Sequence, residues 1–276
     1  MNDRPAGGPG TSQDDPEATD LSRPSIARVY DYVLGGKQHF EIDRRAAQGF
    51  IDALPDAPAI AKDNRNLLGR GVRWVVEEGG IRQILDIGSG LPTEGNVHEL
   101  AHAVDPSTRV VFVDNDPGVL AHGRALLAGD ATTAVITADL RDPTSILADP
   151  VVTGLIDLSQ PYALLLSGIV QHLADDEDPY GIVGTLRDAL PVGGYMLLSH
   201  FLDDDEPRAA KLERGFLEGG LGTGRFRTWD EIRRFFEGLE MVEPGLVYAN
   251  DWRPDAGTPT DSPVHTLYAG GIGRKV

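Results

Sequence analysis

"ILDIGSGLPTEGNVHEL", residues 84–100, decides how this chain folds. A short apolar run carrying Asp86 breaks into a turn at Gly88 and Gly90, and the turn opens into a pattern of helical spacing. A buried strand that ends in a glycine turn and feeds a helix is the ligand-holding unit of a doubly wound α/β sheet, where ligands sit outside the carboxyl ends of the strands. The two missing Cβ atoms let a ligand press against the backbone.

The flanking sequence repeats the alternation. Strand candidates at 81–87, 110–113, 134–138, 162–167 and 195–200 are separated by helical patterns, of which "PYGIVGTLRDALP" is the clearest, with Asp178 and Pro179 as N-cap and first-turn residue. Such alternation implies right-handed crossovers and a mostly parallel sheet covered by helices on both faces. Before it, Ile26, Val29, Tyr30 and Val33 fall at helical spacing and Gly35-Gly36 stops that helix; another helix is expected from about Asn64 to Gly79-Gly80. After it come a helix following Pro207, a glycine-rich link at 217–226 expected to be mobile, a helix opened by a Thr228/Glu231 capping box, and two last strands at 242–248 and 264–270. The expected organisation is a flexible, Gly/Pro/Ser-rich tail over 1–24 and a single domain over 25–276, divided into a helical N-terminal cap (25–80), a cofactor-binding core (81–200) and an insertion with the last strands (201–276).

Composition narrows the function. The chain has 276 residues and a formal charge of −18, which argues against nucleic acid and anionic membrane surfaces as partners. It has no cysteine, which removes disulfides and thiolate chemistry, and no run approaching the roughly 18 apolar residues of a membrane span. A soluble cytoplasmic protein is the expectation.

The ligand class follows from what surrounds the turn. A dinucleotide fingerprint needs a third glycine where this chain has Thr93, and Gly95 comes two residues late, so a nicotinamide-dependent oxidoreductase is the weaker alternative. Asp86 before the glycines repels a pyrophosphate and favours a zwitterionic, sulfonium-bearing nucleoside. Asp114, ending the next strand in "VVFVDND", is placed to take both hydroxyls of a ribose, and Asp139 ends a third strand in "ITADL".

"ILDIGSG", "VVFVDNDP", "TADLRDP" and "ALLLSGIVQHLADDEDP", in this order, resemble the motif regions of class I S-adenosylmethionine-dependent methyltransferases. "PSIARVYDYVLGGKQHFEIDRRAA" and the segment from "LDIGSGLPTEGNVHEL" to "GRALL" are similar to an actinobacterial group known only as S-adenosyl methyltransferase, over roughly residues 24–271. The resemblance implies a Rossmann-like, seven-stranded sheet with its last strand antiparallel. It implies S-adenosylmethionine as cofactor, with S-adenosylhomocysteine as product and an unidentified small-molecule acceptor. Carried over by position, it puts Asp86, Gly88, Ser89 and Gly90 around the methionine moiety, Asp114 on the ribose, and Asn115, Asp139 and Leu140 at the adenine. Ser167 and Gly168 close the pocket, and Tyr32 with Gly35 covers the methionine carboxylate.

Methyl transfer by in-line displacement asks the protein to align donor and acceptor and, where needed, to remove a proton. Candidate bases are His172 first, then His200, and His39 with Tyr30 and Tyr32; the ordinary reading of any one of them is a hydrogen-bonded structural residue. A cofactor-binding protein without catalysis is a further alternative. "ADDEDP" and "DDDEP" precede helices and are read as N-terminal charge, with no metal expected. Trp229, Phe235 and Phe236 are read as core, and Arg44-Arg45 and Arg233-Arg234 as solvated pairs.

Overall fold

The computed structural model describes residues 22–92, 95–127, 130–221 and 224–276. Of the expected tail, residues 1–21 lie outside the described residues, as do Thr93 in the turn and residues 222–223 of the glycine-rich link. Three helices come first: α1 (Ile26–Val33), α2 (Glu41–Ala53) and α3 (Ala57–Glu77). The core alternates as β1 (Gln83–Ile87), α4 (Val97–Val104), β2 (Arg109–Asp114), α5 (Pro117–Leu126), β3 (Thr133–Thr137), α6 (Pro143–Ala148), α7 (Pro150–Leu155), β4 (Ala163–Ser167), α8 (Pro179–Asp188) and β5 (Tyr195–Phe201). Then follow α9 (Pro207–Glu218), α10 (Trp229–Arg234), β6 (Leu239–Met241), β7 (Val247–Tyr248) and β8 (Tyr268–Lys275).

The sheet order is β3-β2-β1-β4-β5-β8-β6, with β7 also paired to β8. Strands β1 to β5 run parallel, and β8 is antiparallel to β5, β6 and β7. The strand count is eight where seven were expected, because the sixth strand is split: Gly245 (φ +96°) turns the chain between its two short pieces. The last strand begins at Tyr268 rather than 264, since residues His265–Leu267 form a 3₁₀ turn. The order reverses beside β1, where β2 lies on one side and β4 on the other, so a ligand crevice opens above the carboxyl end of β1.

Local chemistry explains most boundaries. Asp116 before Pro117 caps α5 by accepting from the Gly118 N–H at 2.7 Å, and Asp178 before Pro179 accepts from Gly181 at 3.1 Å. Thr228 and Glu231 exchange the two bonds of a capping box at the start of α10. Helix α3 begins at Ala57, a turn and more before the expected Asn64, with proline in its first turn. A face of Leu67, Val72, Val75 and Val76 packs it onto the sheet, closely enough that a Cβ on Gly71 would stand 2.2 Å from Leu197 of β5. Phe235 and Phe236 are core residues, as expected, and Trp229 packs edge-on against Tyr248. The arginine pairs divide: Arg44 and Arg45 both meet Glu41 at the surface, whereas Arg234 covers the Tyr180 ring at 3.9 Å.

Helices α1 and α2 pack together, and α2 meets α9, with the Phe50 and Phe216 rings 5.4 Å apart. Helices α1, α2 and α9 are thus packed in series, and Val29, Phe50 and Phe216 from them meet beside Gly168 at the end of β4. Among the described residues no helix is long and apolar enough to cross a membrane. No cluster of three or more His, Asp or Glu among them is placed to hold a metal ion.

Candidate cofactor and acceptor site

A cleft of about 420 Å³ lies at the carboxyl end of β1. The Gly88 and Ser89 N–H groups donate to the Val113 carbonyl at 2.8 and 3.2 Å, which lashes the turn to β2. Gly88 has φ +75°, and a Cβ there would come within 2.5 Å of the Ile169 side chain. Both the conformation and the space require glycine. Gly88→Ala is therefore expected to destabilise the protein by at least about 1–2 kcal/mol, the cost of the left-handed conformation alone. Urea unfolding checks this, and an unchanged midpoint would mean that the turn is not held as described.

Two carboxylates face the cleft from adjacent strand ends. Asp114 accepts from the Gly90 N–H through Oδ2 at 2.8 Å and from the Asp116 N–H through Oδ1 at 3.0 Å, leaving a lone pair on each oxygen for a ligand. Burial pushes its carboxyl up to about 6, against the opposing pull of the Asp116, Gly90 and Asn115 N–H groups. Asp86 is 4% exposed, and burial raises it to about 7, with Arg65 opposing the rise and Asp114 adding to it. Asp139 is a surface residue on the rim; Asn115 donates to it at 3.5 Å and Arg141 pairs with it at 3.3 Å.

The cleft gathers nearly every residue expected to bind the cofactor: Asp86, Gly88, Ser89, Gly90 and Asp114 on one side, then Asn115, Asp139 and Leu140, then Ser167 and Gly168. Tyr32 and Gly35 do not line it, which corrects the expected role of that helix end. Tyr32 instead packs against His39, and Gly35 closes α1 by donating to the Tyr32 carbonyl. The cap enters the cleft through its first turn, with Arg23, Ser25, Arg28 and Tyr30. Arg28 is buried, 2.9 Å from Asp43 of α2 and 3.2 Å from Asp116, while the Ser25 hydroxyl also bonds Asp116.

Asn64 and Arg65 of α3 also line the cleft, and the sequence reading passed over both. The signal was a polar pair beside the apolar face that Leu67 and Leu68 begin. The Asn64 amide joins four elements. Its Oδ1 accepts from Ser199 at 2.7 Å and Ser167 at 3.0 Å, and its Nδ2 donates to the Tyr30 hydroxyl at 3.1 Å. Tyr30 donates in turn to the Ala61 carbonyl at 3.0 Å, and burial raises its phenol pKa.

A second, smaller cavity of about 60 Å³ continues behind Gly168 and shares His172, Tyr30 and Asn64 with the cleft. The three expected bases therefore separate. His172 stands where cleft and cavity meet. His200 is fully buried away from both: its Nδ1 donates to the Phe201 carbonyl at 2.7 Å and its Nε2 accepts from Arg227 at 2.9 Å. Burial and the Arg227 charge push His200 down to about 3, so it is a neutral structural acceptor. His39 pairs with Asp31 at 3.1 Å, outside both spaces.

A family model described as S-adenosyl methyltransferase matches residues 12–276. A Thermobifida fusca YX protein named as a candidate methyltransferase is 49% identical, with 93% of this chain and 96% of that one covered and a TM-score of 0.89. A DUF574 family protein of Streptomyces avermitilis MA-4680 is 39% identical, with 93% and 99% covered and a TM-score of 0.88. An O-methyltransferase family 2 protein of Planctomyces limnophilus DSM 3776, solved with apigenin, shares only the fold, at 17% identity, 90% and 65% coverage and a TM-score of 0.51. No curated protein matches the chain. The chain belongs to the S-adenosyl methyltransferase family, and S-adenosylmethionine is its cofactor.

Proposed function

We propose that this enzyme methylates a small molecule by direct in-line displacement, with the cofactor in the cleft and the acceptor entering from the cavity behind Gly168. The observation that carries the reading is the meeting of the two spaces at His172 and Gly168. When bound, S-adenosylmethionine supplies a methyl carbon whose bond to sulfur breaks as the acceptor's lone pair attacks, leaving S-adenosylhomocysteine.

The cleft residues fit that cofactor by their own chemistry. Asp86 is the counter-charge for its ammonium, Asp114 has a lone pair on each oxygen for the ribose hydroxyls, and Asn115, Asp139 and Leu140 border the adenine end. Arg65, which donates to the Gly95 carbonyl at 3.1 Å on the rim beside Asp86, takes the carboxylate that Tyr32 and Gly35 were expected to cover. The backbone of Gly88 and Gly90 holds the methionine chain close, and Ser167 and Gly168 close the pocket. His172 receives the proton that the acceptor sheds, where it has one to shed.

Calorimetric titration with S-adenosylmethionine, S-adenosylhomocysteine and NADH tests the reading; preferential binding of NADH would overturn it. The pH dependence adds a sharper check. Without ligand, burial pushes Asp86 up to about 7 and Asp114 up to about 6, above the ordinary carboxylate range, so their contribution to stability is present in acid and lost as pH rises through 6 to 7. A ligand ammonium and hydroxyls favour the ionised carboxylates, so the sign for binding is opposite. Affinity should rise about tenfold between pH 6 and pH 7, with protons released on binding below pH 7. A flat profile would mean that neither carboxylate meets the ligand.

A further inference from the structure

The cavity behind Gly168 specifies its occupant more narrowly than "small molecule". Its walls are mostly apolar, with Val29, Val33, Phe50, Ile60, Phe201 and Phe216, and among the described residues no Asp, Glu, Lys or Arg lines it. A charged group would enter at a full desolvation cost with nothing to offset it. The volume of about 60 Å³ admits about four to six water-sized atoms, the edge of a single ring rather than a fused system.

One polar group on the wall is unspent. Gln171 is 3% exposed, and its Nε2 donates to the Gly168 carbonyl at 2.5 Å, which fixes the amide orientation. Its Oε1 is buried and has no hydrogen-bond partner among the described residues. A buried amide oxygen left without a donor is costly, and a ligand that brings a donor recovers that cost. Of the other polar wall residues, Asn64 donates to the Tyr30 hydroxyl, and the Tyr268 hydroxyl lies 3.4 Å from that of Ser199, while His172 stands at the mouth.

We infer that the acceptor is a neutral, predominantly apolar molecule, no larger than one ring at its buried end, whose hydroxyl or amine donates to Gln171 Oε1. Gln171 is then the residue that selects the acceptor, presenting its heteroatom beside His172 at the mouth of the cavity. The inference rests on the proposed division into cofactor cleft and acceptor cavity.

Phenol and toluene, which differ by one hydroxyl, are the probes, titrated by ligand-observed NMR with and without saturating S-adenosylhomocysteine. Phenol should bind about tenfold more tightly than toluene. Gln171→Leu should erase that difference. Val33→Phe, which fills the cavity from a side chain outside the cleft, should abolish binding of both probes while leaving S-adenosylhomocysteine affinity unchanged. Equal binding of phenol and toluene to the unaltered protein, or undiminished phenol binding in Val33→Phe, would overturn the inference. If S-adenosylhomocysteine fails to bind while phenol behaves as described, the reading of the cleft falls and the Gln171 site stands.

Discussion

Arg28→Met should destabilise the protein by about 3–5 kcal/mol, the penalty for removing one partner from a buried charge network. Arg28 and Asp43 are almost wholly buried, and the guanidinium bridges Asp43 to Asp116. Methionine fills similar volume but leaves two buried carboxylates facing each other without the charge between them. The remaining donors to these acids, the Phe40 and Ser25 N–H groups on Asp43 and the Gly118 N–H and Ser25 hydroxyl on Asp116, place the loss nearer the lower end. Thermal unfolding should show a fall of roughly 6–12 °C. A shift under about 2 °C would mean that the cap is not held to the core by this arginine. Because Asp116 follows Asp114 and donates to it, the same variant should also weaken cofactor binding.

Asp114→Ala should weaken S-adenosylhomocysteine binding at pH 8 by about 10- to 100-fold, or about 1.5–3 kcal/mol, the usual value of hydrogen bonds to a charged acceptor. The variant also frees the Gly90 N–H that pins the turn, so turn loosening and ribose contact must be told apart. A cofactor analogue lacking both ribose hydroxyls separates them. If the contact is to the ribose, that analogue should bind unaltered and variant proteins alike. A persisting difference would assign the effect to the turn.

The parallel core was legible because each strand carries its own punctuation: an apolar run, a glycine or acidic end, then a helix start. Asp86, Gly88 and Asp114 could be read as site residues from the strand ends they occupy, and the cleft brings them together. The cap was harder. Its helices were visible, but which turn of α1 meets the cleft depends on how Arg28 ties it to Asp116, an interaction across 88 positions that no local pattern announces. Tyr32 and Gly35 were therefore chosen where Arg23, Ser25 and Tyr30 line the cleft. His200 ranked second to His172 as a candidate base in sequence. Only the buried Arg227 beside it shows that its imidazole is spent on structure.

The place of β8 has a consequence for how the molecule is made. That strand follows β6 and β7 in the chain, yet it is inserted between them and β5, and Tyr268 at its start closes a wall of the cavity behind Gly168. While the ribosome is still making α9 and α10, the parallel strands already present can pair, but β5 keeps an open edge, which is a template for unwanted association. β6 and β7 have nothing to pair with until β8 arrives. The strand ends around the cleft are thus in place well before the wall at Tyr268, and the β5 edge stays open until the last eight-residue strand covers it.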